Sequence, residues 1–305
     1  GCVGKKLFGI LAYKHHARCL AKELNAELVL ASTIALPAAL KIGQDNRIPV
    51  GTFVRAYENF NEGGANNFRI RLKNWLKKSV MGQYRGSALN RSTFLLPNSK
   101  YMAQKCRELF PDPAVYVVYP PIECPQNEFH APLSIRNICM VGASKKKGFE
   151  IFQSLARGMP LIQFHTVGDP EIRPGNVEID RNLTRSGWVS DTAEFIGNAD
   201  LVLVPSIWNE PFGRVAVEAL RHGRIVLVSR YGGLPEAVGF QSRLIVDSNN
   251  VDSWMERILE VDAAPELFIH DCVAAAGMAK QYSIDEQSKV LENALIEEVS
   301  RSENA

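Results

Sequence analysis

Nine short apolar runs, most of them separated by a segment of helical period, constrain this chain more than any other feature. They include ELVLAS (27–32), PVGTFV (49–54), TFLLP (93–97), VYVVYP (115–120), NICMVG (137–142), LIQFHTVG (161–168), DLVLVPS (200–206), RIVLVS (224–229) and RLIVD (243–247). Between them, KYMAQKCRELF (100–110), FEIFQSLARG (149–158) and FGRVAVEALRHG (212–223) repeat their apolar positions every three or four residues. Strand followed by helix followed by strand reads as a parallel sheet with helices on both faces. The runs are apolar throughout, as buried parallel strands are, rather than alternating. At 305 residues the chain is long enough for two such units. The stretch YPPIECPQNEFHAPL (119–133) holds four prolines and no period, so it is expected as the linker. The expected domains are 1–124 and 134–280. The tail 281–305 opens with Ser283 as N-cap and Glu286 three residues on.

Charge is unevenly spread. Residues 1–130 carry 18 Lys/Arg against 9 Asp/Glu, the remainder 17 against 24, so a net +2 hides +9 and −7. The basic half is expected to face something anionic. Within it, residues 69–91 carry seven Lys/Arg and no acid, with Leu72, Trp75, Leu76 and Val80 on one helical face. That pattern suits a helix lying on an anionic membrane, and equally one whose apolar face packs on the core. No apolar run approaches the roughly 18 residues of a spanning helix, and no secretory signal opens the chain. The six cysteines never form C-x-x-C, and reduced thiols in a cytoplasmic enzyme are expected, peripheral at the inner membrane face if the basic helix meets lipid.

The chemistry is concentrated in PSIWNEPFGRVAVEALRHGRIVLVSRYGGLPEAVG (205–239). An apolar strand ends at Pro205-Ser206, a loop carries Glu210, and a helix beginning near Gly213 carries Glu218. In an α/β sheet, ligands bind beyond the carboxyl ends of the strands. A helix start offers free N–H groups and partial positive charge to a diphosphate. Glu210 and Glu218 stand roughly 8–12 Å apart at 1.5 Å per helical residue. That is about the span from sugar to ribose in a nucleotide sugar, and each carboxylate can accept bonds from paired hydroxyls.

The E-x7-E pattern Glu210-PFGRVAV-Glu218, followed by YGGLPE (231–236), resembles the donor-site signature of family-4 retaining glycosyltransferases. The likeness extends to PNSKYMAQKCRELF (97–110), VGASKKKGFEIF (141–152) and GWVSDTAEFIGNADLVLVPS (187–206). It implies a GT-B fold: two Rossmann-like domains with parallel sheets facing across a cleft, and a last helix crossing back to the first domain. It implies sugar transfer from a UDP- or GDP-linked donor with retention and no metal. The acceptor implied is a glycan, a lipid-linked or a small molecule, and no nucleic acid is implied as partner. Glu210 and Lys147 are the implied catalytic groups, one on the sugar and one on the diphosphate. Glu218 would bind ribose, with Phe212, Gly213, Arg214, Val215, Gly142, Ser144, Val189, Gly232 and Gly233 around the donor.

The chain departs from the family in three places. Ala143 and Ser144 stand where an arginine is usual, no histidine follows the VGTFV run, and nothing before ELVLAS resembles the opening strand and glycine-rich loop. The start of the acceptor domain is therefore expected to be missing. Two rival readings are a nucleotide-sugar-binding module without transfer and a GT-B sugar-nucleotide epimerase. G-x-x-x-x-G-K-[ST], G-x-G-x-x-G, Asp-x-Asp and paired metal-ligand spacings are all absent from the sequence.

Overall fold

The computed structural model describes residues 21, 23–32, 35–56, 88–123, 126–247 and 249–304. Most of the basic segment, residues 69–87, lies outside them, including Leu72, Trp75, Leu76 and Val80. The chain divides into two compact units, Gly1–Tyr119 with Ser288–Ala305, and Pro120–Gln287.

The first unit is a four-stranded sheet in the order β1 (Val29–Ser32), β2 (Val50–Val54), β3 (Phe94–Pro97), β4 (Ala114–Val115), every pairing parallel. The run VYVVYP forms only two residues of strand. Beyond them Tyr116 and Val118 still donate to Leu95 and Pro97, so the chain runs extended along β3 without regular pairing. Helix α1 (Leu36–Asn46) begins with Pro37, whose missing N–H costs nothing at that position. Helix α2 (Lys100–Leu109) is capped by Ser99 Oγ, which accepts from the Met102 N–H at 3.0 Å. Leu95, Met102, Cys106, Leu89 and Val54 close the core on one face of the sheet.

On the other face Phe94, Leu96 and Val118 are covered by Leu291 and Leu295 of the last helix, α9 (Ile284–Glu303). Ser283 caps that helix, accepting from the Glu286 N–H at 3.3 Å. Tyr116 fastens it from the sheet side. Its hydroxyl donates to the buried Glu298 carboxylate at 2.6 Å, and Arg301 reaches both groups. Burial, then the bond to Glu298, push the Tyr116 phenol well above its ordinary value near 10. A phenol raised in this way adds stability in full below the unfolded value, and that stability is lost as pH climbs towards the folded one. Tyr116→Phe is therefore expected to cost about 1–3 kcal/mol near neutral pH by stripping a donor from Glu298. The gap between the two proteins should narrow above pH ~10, where the unfolded phenol ionises. Urea unfolding at several pH values measures it, and a gap independent of pH would contradict the coupling.

The second unit is a seven-stranded sheet. Its strands are β5 (Asn137–Val141), β6 (Gln163–Val167), β7 (Val177–Asp180), β8 (Leu183–Ser186), β9 (Leu201–Val204), β10 (Ile225–Ser229) and β11 (Ile245–Val246), in spatial order β11-β10-β9-β5-β6-β8-β7. All pairings are parallel except β7 with β8, so the fully parallel sheet expected from the sequence acquires an antiparallel edge. The hairpin VEIDRNLTRS escaped notice because its outer strand is exposed along its length and carries no apolar run. Asn182 anchors its turn, the amide donating to the carbonyls of Ala156, Met159 and Ile162 just past helix α3 (Phe149–Gly158). By contrast β9 and β10 are buried at every position.

The boundary between the units, after Tyr119, falls at the start of the proline-rich stretch, and the rest of that stretch belongs to the second unit. Ile122 and Asn127 donate to the carbonyls of Tyr282 and Arg221. Cys139 and Cys272 are buried free thiols here, and burial pushes Cys272 up to about 12. Among the described residues no helix is long and apolar enough to cross a membrane.

Candidate active site

Strand β5 comes first in the second unit yet lies in the middle of its sheet. The chain builds outward to β6 on one side and returns to β9 on the other. The loops leaving β5 and β9 therefore diverge, opening a crevice at their carboxyl ends. Lys147 follows β5 and Glu210 follows β9. The structure brings them together across this switch point, Lys147 Nζ standing 2.7 Å from Glu210 Oε1.

The two loops are clasped by backbone. Ile207 N–H donates to the Lys146 carbonyl at 3.0 Å. Gly148 lets them approach: its φ is +83°, and a Cβ there would stand 1.9 Å from the Pro205 carbonyl oxygen. Lys147 closes a 3-10 turn, Lys145–Lys147, whose N–H returns to Ser144 O.

Glu210 is 5% exposed, and its partners account for a carboxylate held so deep. Its Oε1 accepts from Ser206 Oγ at 2.7 Å and from the Trp208 indole at 3.1 Å, besides the ammonium. Ser229 Oγ in turn donates to the Ser206 carbonyl at 2.7 Å, tying the loop to β10. Ser206, Trp208 and Gly148 are the contributors that motif reading missed. The first two stood in plain view at four and two residues before the glutamate.

Gly232 and Gly233 support the main chain of Glu210 rather than opening a separate surface. Gly233 N–H donates to its carbonyl at 2.7 Å, and a Cβ on Gly232 would stand 2.1 Å from the same oxygen. Phe212 is 2% exposed and packs edge-on against Tyr282, with ring centroids 5.0 Å apart. Its side chain thus serves the core and only its backbone is available at the loop. Gly213 enters helix α5 (Arg214–Arg221) at φ +111°, and Val215 lies in its first turn. Glu218, one turn after Arg214, is paired with it at 3.2 Å, with side chains 20% and 59% exposed. Each of the two glutamates therefore faces a cation of the chain.

Beside the clasp lies a floor without side chains. Gly142 at φ +86° donates to the Val167 carbonyl, and Gly168 at φ +74° donates to that of Gly187. A Cβ on Gly168 would meet only the Gly142 backbone, at 3.7 Å. Trp188 (65% exposed) and Val189 follow directly on Gly187, and the Ser144 N–H donates to the Gly142 carbonyl at 3.1 Å. Among the described residues no three His, Cys, Asp or Glu side chains gather as metal ligands.

Residues 136–262, which contain this whole arrangement, match the family model described as glycosyl transferases group 1. Over these residues the chain is similar to group 1 glycosyl transferases. Its curated relatives include a D-inositol 3-phosphate glycosyltransferase of Saccharomonospora viridis, 35% identical over 111 residues, 36% of this chain and 25% of that protein. A 42.6 kDa protein of the cps region of Klebsiella pneumoniae is 30% identical over 123 residues, 39% of this chain and 31% of the other. The matched stretches thus span about a quarter to a third of these two relatives' own length.

Solved structures match nearly the whole chain. Sucrose-phosphate synthase from Thermosynechococcus elongatus superposes with a TM-score of 0.73 at 15% identity, covering 96% of this chain and 78% of that one. Anabaena HepE in complex with UDP and glucose gives 0.68 at 16%, covering 96% and 83%. At such identity the likeness concerns the fold, which is that of GT-B glycosyltransferases with Rossmann-like units.

Proposed function

We propose that this protein moves a sugar from a UDP- or GDP-linked donor to a glycan, lipid-linked or small-molecule acceptor, with retention of configuration and without a metal clamp. The observation that carries this reading is the Lys147–Glu210 pair, clasped across the switch point and flanked by a helix start and a glycine floor. In the free protein the two charges neutralise each other at 2.7 Å. A donor exchanges them: its diphosphate takes Lys147 and the N–H groups of Arg214 and Val215, and its sugar hydroxyls take Glu210. Glu218 likewise leaves Arg214 for the ribose, and the base lies over Gly142 and Gly168 beside Ser144 and Val189.

The chemistry follows from these positions. As the bond from the anomeric carbon to the diphosphate breaks, negative charge grows on the phosphate, where Lys147 and the helix start meet it. Positive charge grows on the sugar ring, where the Glu210 carboxylate is held ready. HepE's complex with UDP and glucose supports a uridine donor among the choices. A thermal-shift panel of UDP, GDP and ADP with their glucose and mannose derivatives tests the proposal. A ligand at 100 times its Kd adds about 2.7 kcal/mol, so one base should raise the melting temperature by several degrees. No shift with any nucleotide at millimolar concentration would overturn it.

A further inference from the structure

Among the described residues, the side-chain contacts of Glu210 fall on one of its two oxygens. Oε1 accepts from Ser206 and Trp208 and faces Lys147, while Oε2 has no such partner among the described residues. A carboxylate oxygen offers about two lone-pair sites, so Oε1 is saturated and Oε2 is left for something else. Lys147 cannot hold Oε1 throughout, because a bound diphosphate draws the ammonium away. Ser206 then remains with Trp208. A single hydroxyl donor would leave the carboxylate torsion loose, since terminal sp³–sp² torsions are broad and two-fold.

Trp208 is built to prevent this. It sits half-buried between two exposed residues, Ile207 and Asn209. Its ring is steadied by the Lys146 ammonium, 5.1 Å from the centroid. The Lys146 carbonyl receives the Ile207 N–H, so ring and loop are held by the same residue. Its edge N–H reaches Glu210 Oε1.

We infer that Trp208 is a positioning residue: its indole N–H pins Glu210 Oε1 once Lys147 turns to the diphosphate, so that Oε2 is the oxygen presented to the hydroxyls of the transferred sugar. This rests on the sugar-side role of Glu210 given above.

Trp208→Phe keeps an aromatic ring for Lys146 and removes the N–H donor together with part of the indole. With the nucleotide that stabilises the protein most in the panel, calorimetry should give a Kd within about 2-fold of wild type. Turnover of the matching nucleotide sugar (UDP-glucose, GDP-mannose or ADP-glucose) should show kcat lower by about 10-fold or more. A merely structural role would lower melting temperature and nucleotide affinity together, which would overturn the inference. Unchanged kcat in Trp208→Phe beside a depressed Glu210→Gln overturns the positioning role and spares the site. Undepressed turnover in Glu210→Gln sinks the site reading and the inference with it. If wild type turns over none of the three sugars, a crystal structure of Trp208→Phe with nucleotide decides. A Glu210 carboxylate turned from its wild-type orientation supports the inference, and one left unmoved overturns it.

Discussion

Glu218→Gln is expected to weaken binding of the free nucleoside diphosphate by roughly 10- to 150-fold, the worth of one charged hydrogen bond. Among the described residues Glu218 pairs with Arg214 alone, a partner on the surface of the same helix at 3.2 Å. Exposed pairs of this kind contribute about 0–1 kcal/mol, so little is lost in the fold when the charge goes. On the proposed layout the penalty falls on the ligand, whose ribose hydroxyls would meet an amide where a carboxylate stood. Glu210→Gln should behave otherwise. On the same layout it meets the sugar and not the nucleotide, so affinity for the free diphosphate should change little while kcat for transfer drops steeply. Calorimetry with the nucleotide beside a transfer or hydrolysis assay separates the two. Loss of nucleotide affinity in Glu210→Gln as severe as in Glu218→Gln would show that sugar and ribose are not laid out along this helix. So would indifference to both changes.

The largest stability loss is expected at Gly148. Gly148→Ala places a methyl 1.9 Å from the Pro205 carbonyl oxygen, in a backbone already at φ +83°. The left-handed conformation costs an L-residue about 1–2 kcal/mol, and forcing the loops apart adds about 1–3 kcal/mol. A sum of roughly 2–5 kcal/mol is expected in the second unit's unfolding transition. Gly175→Ala supplies the control, since Gly175 shares the conformation at φ +82° but has nothing within 4 Å of its Cβ. Its cost isolates the conformational part. Equal losses at the two positions would mean that the clasp is not tight. The two units can unfold separately, so each transition should be followed by its own probe.

The architecture was legible where burial writes it into composition. Runs such as DLVLVPS and RIVLVS lie within a sheet covered on both faces, so their strand positions 201–204 and 225–228 had to be apolar. The VEIDRNLTRS hairpin was illegible for the opposite reason. Val177 and Ile179 are exposed, and what fixes the turn is the Asn182 amide gripping three carbonyls, a contact no local pattern announces. The proline count of residues 119–133 suggested a free linker, whereas this stretch is pinned by hydrogen bonds from Ile122 and Asn127 to residues far along the chain.

Within the candidate site, local motif and loop position pointed to Glu210, and the topology brings Lys147 to it from the other side of the switch point. What escaped was the support. That Phe212 turns its ring inward to Tyr282, and that Gly232 and Gly233 brace Glu210, are facts of packing between segments remote in sequence.

The last helix has a consequence for how the protein is made. Residues 288–305 belong to the unit that also contains residues 1–119, and the bond from Tyr116 to Glu298 joins positions 182 apart. On the ribosome the first sheet emerges early but cannot cover Phe94 and Leu96 until Leu291 and Leu295 arrive. The second unit has by then been synthesised in full. The unit begun first is thus the one completed last, and at about 5–20 residues per second its apolar face waits on the order of ten seconds or more for its cover. Translation that stops short of the final helix leaves a complete seven-stranded sheet attached to a unit still open to chaperones and proteases.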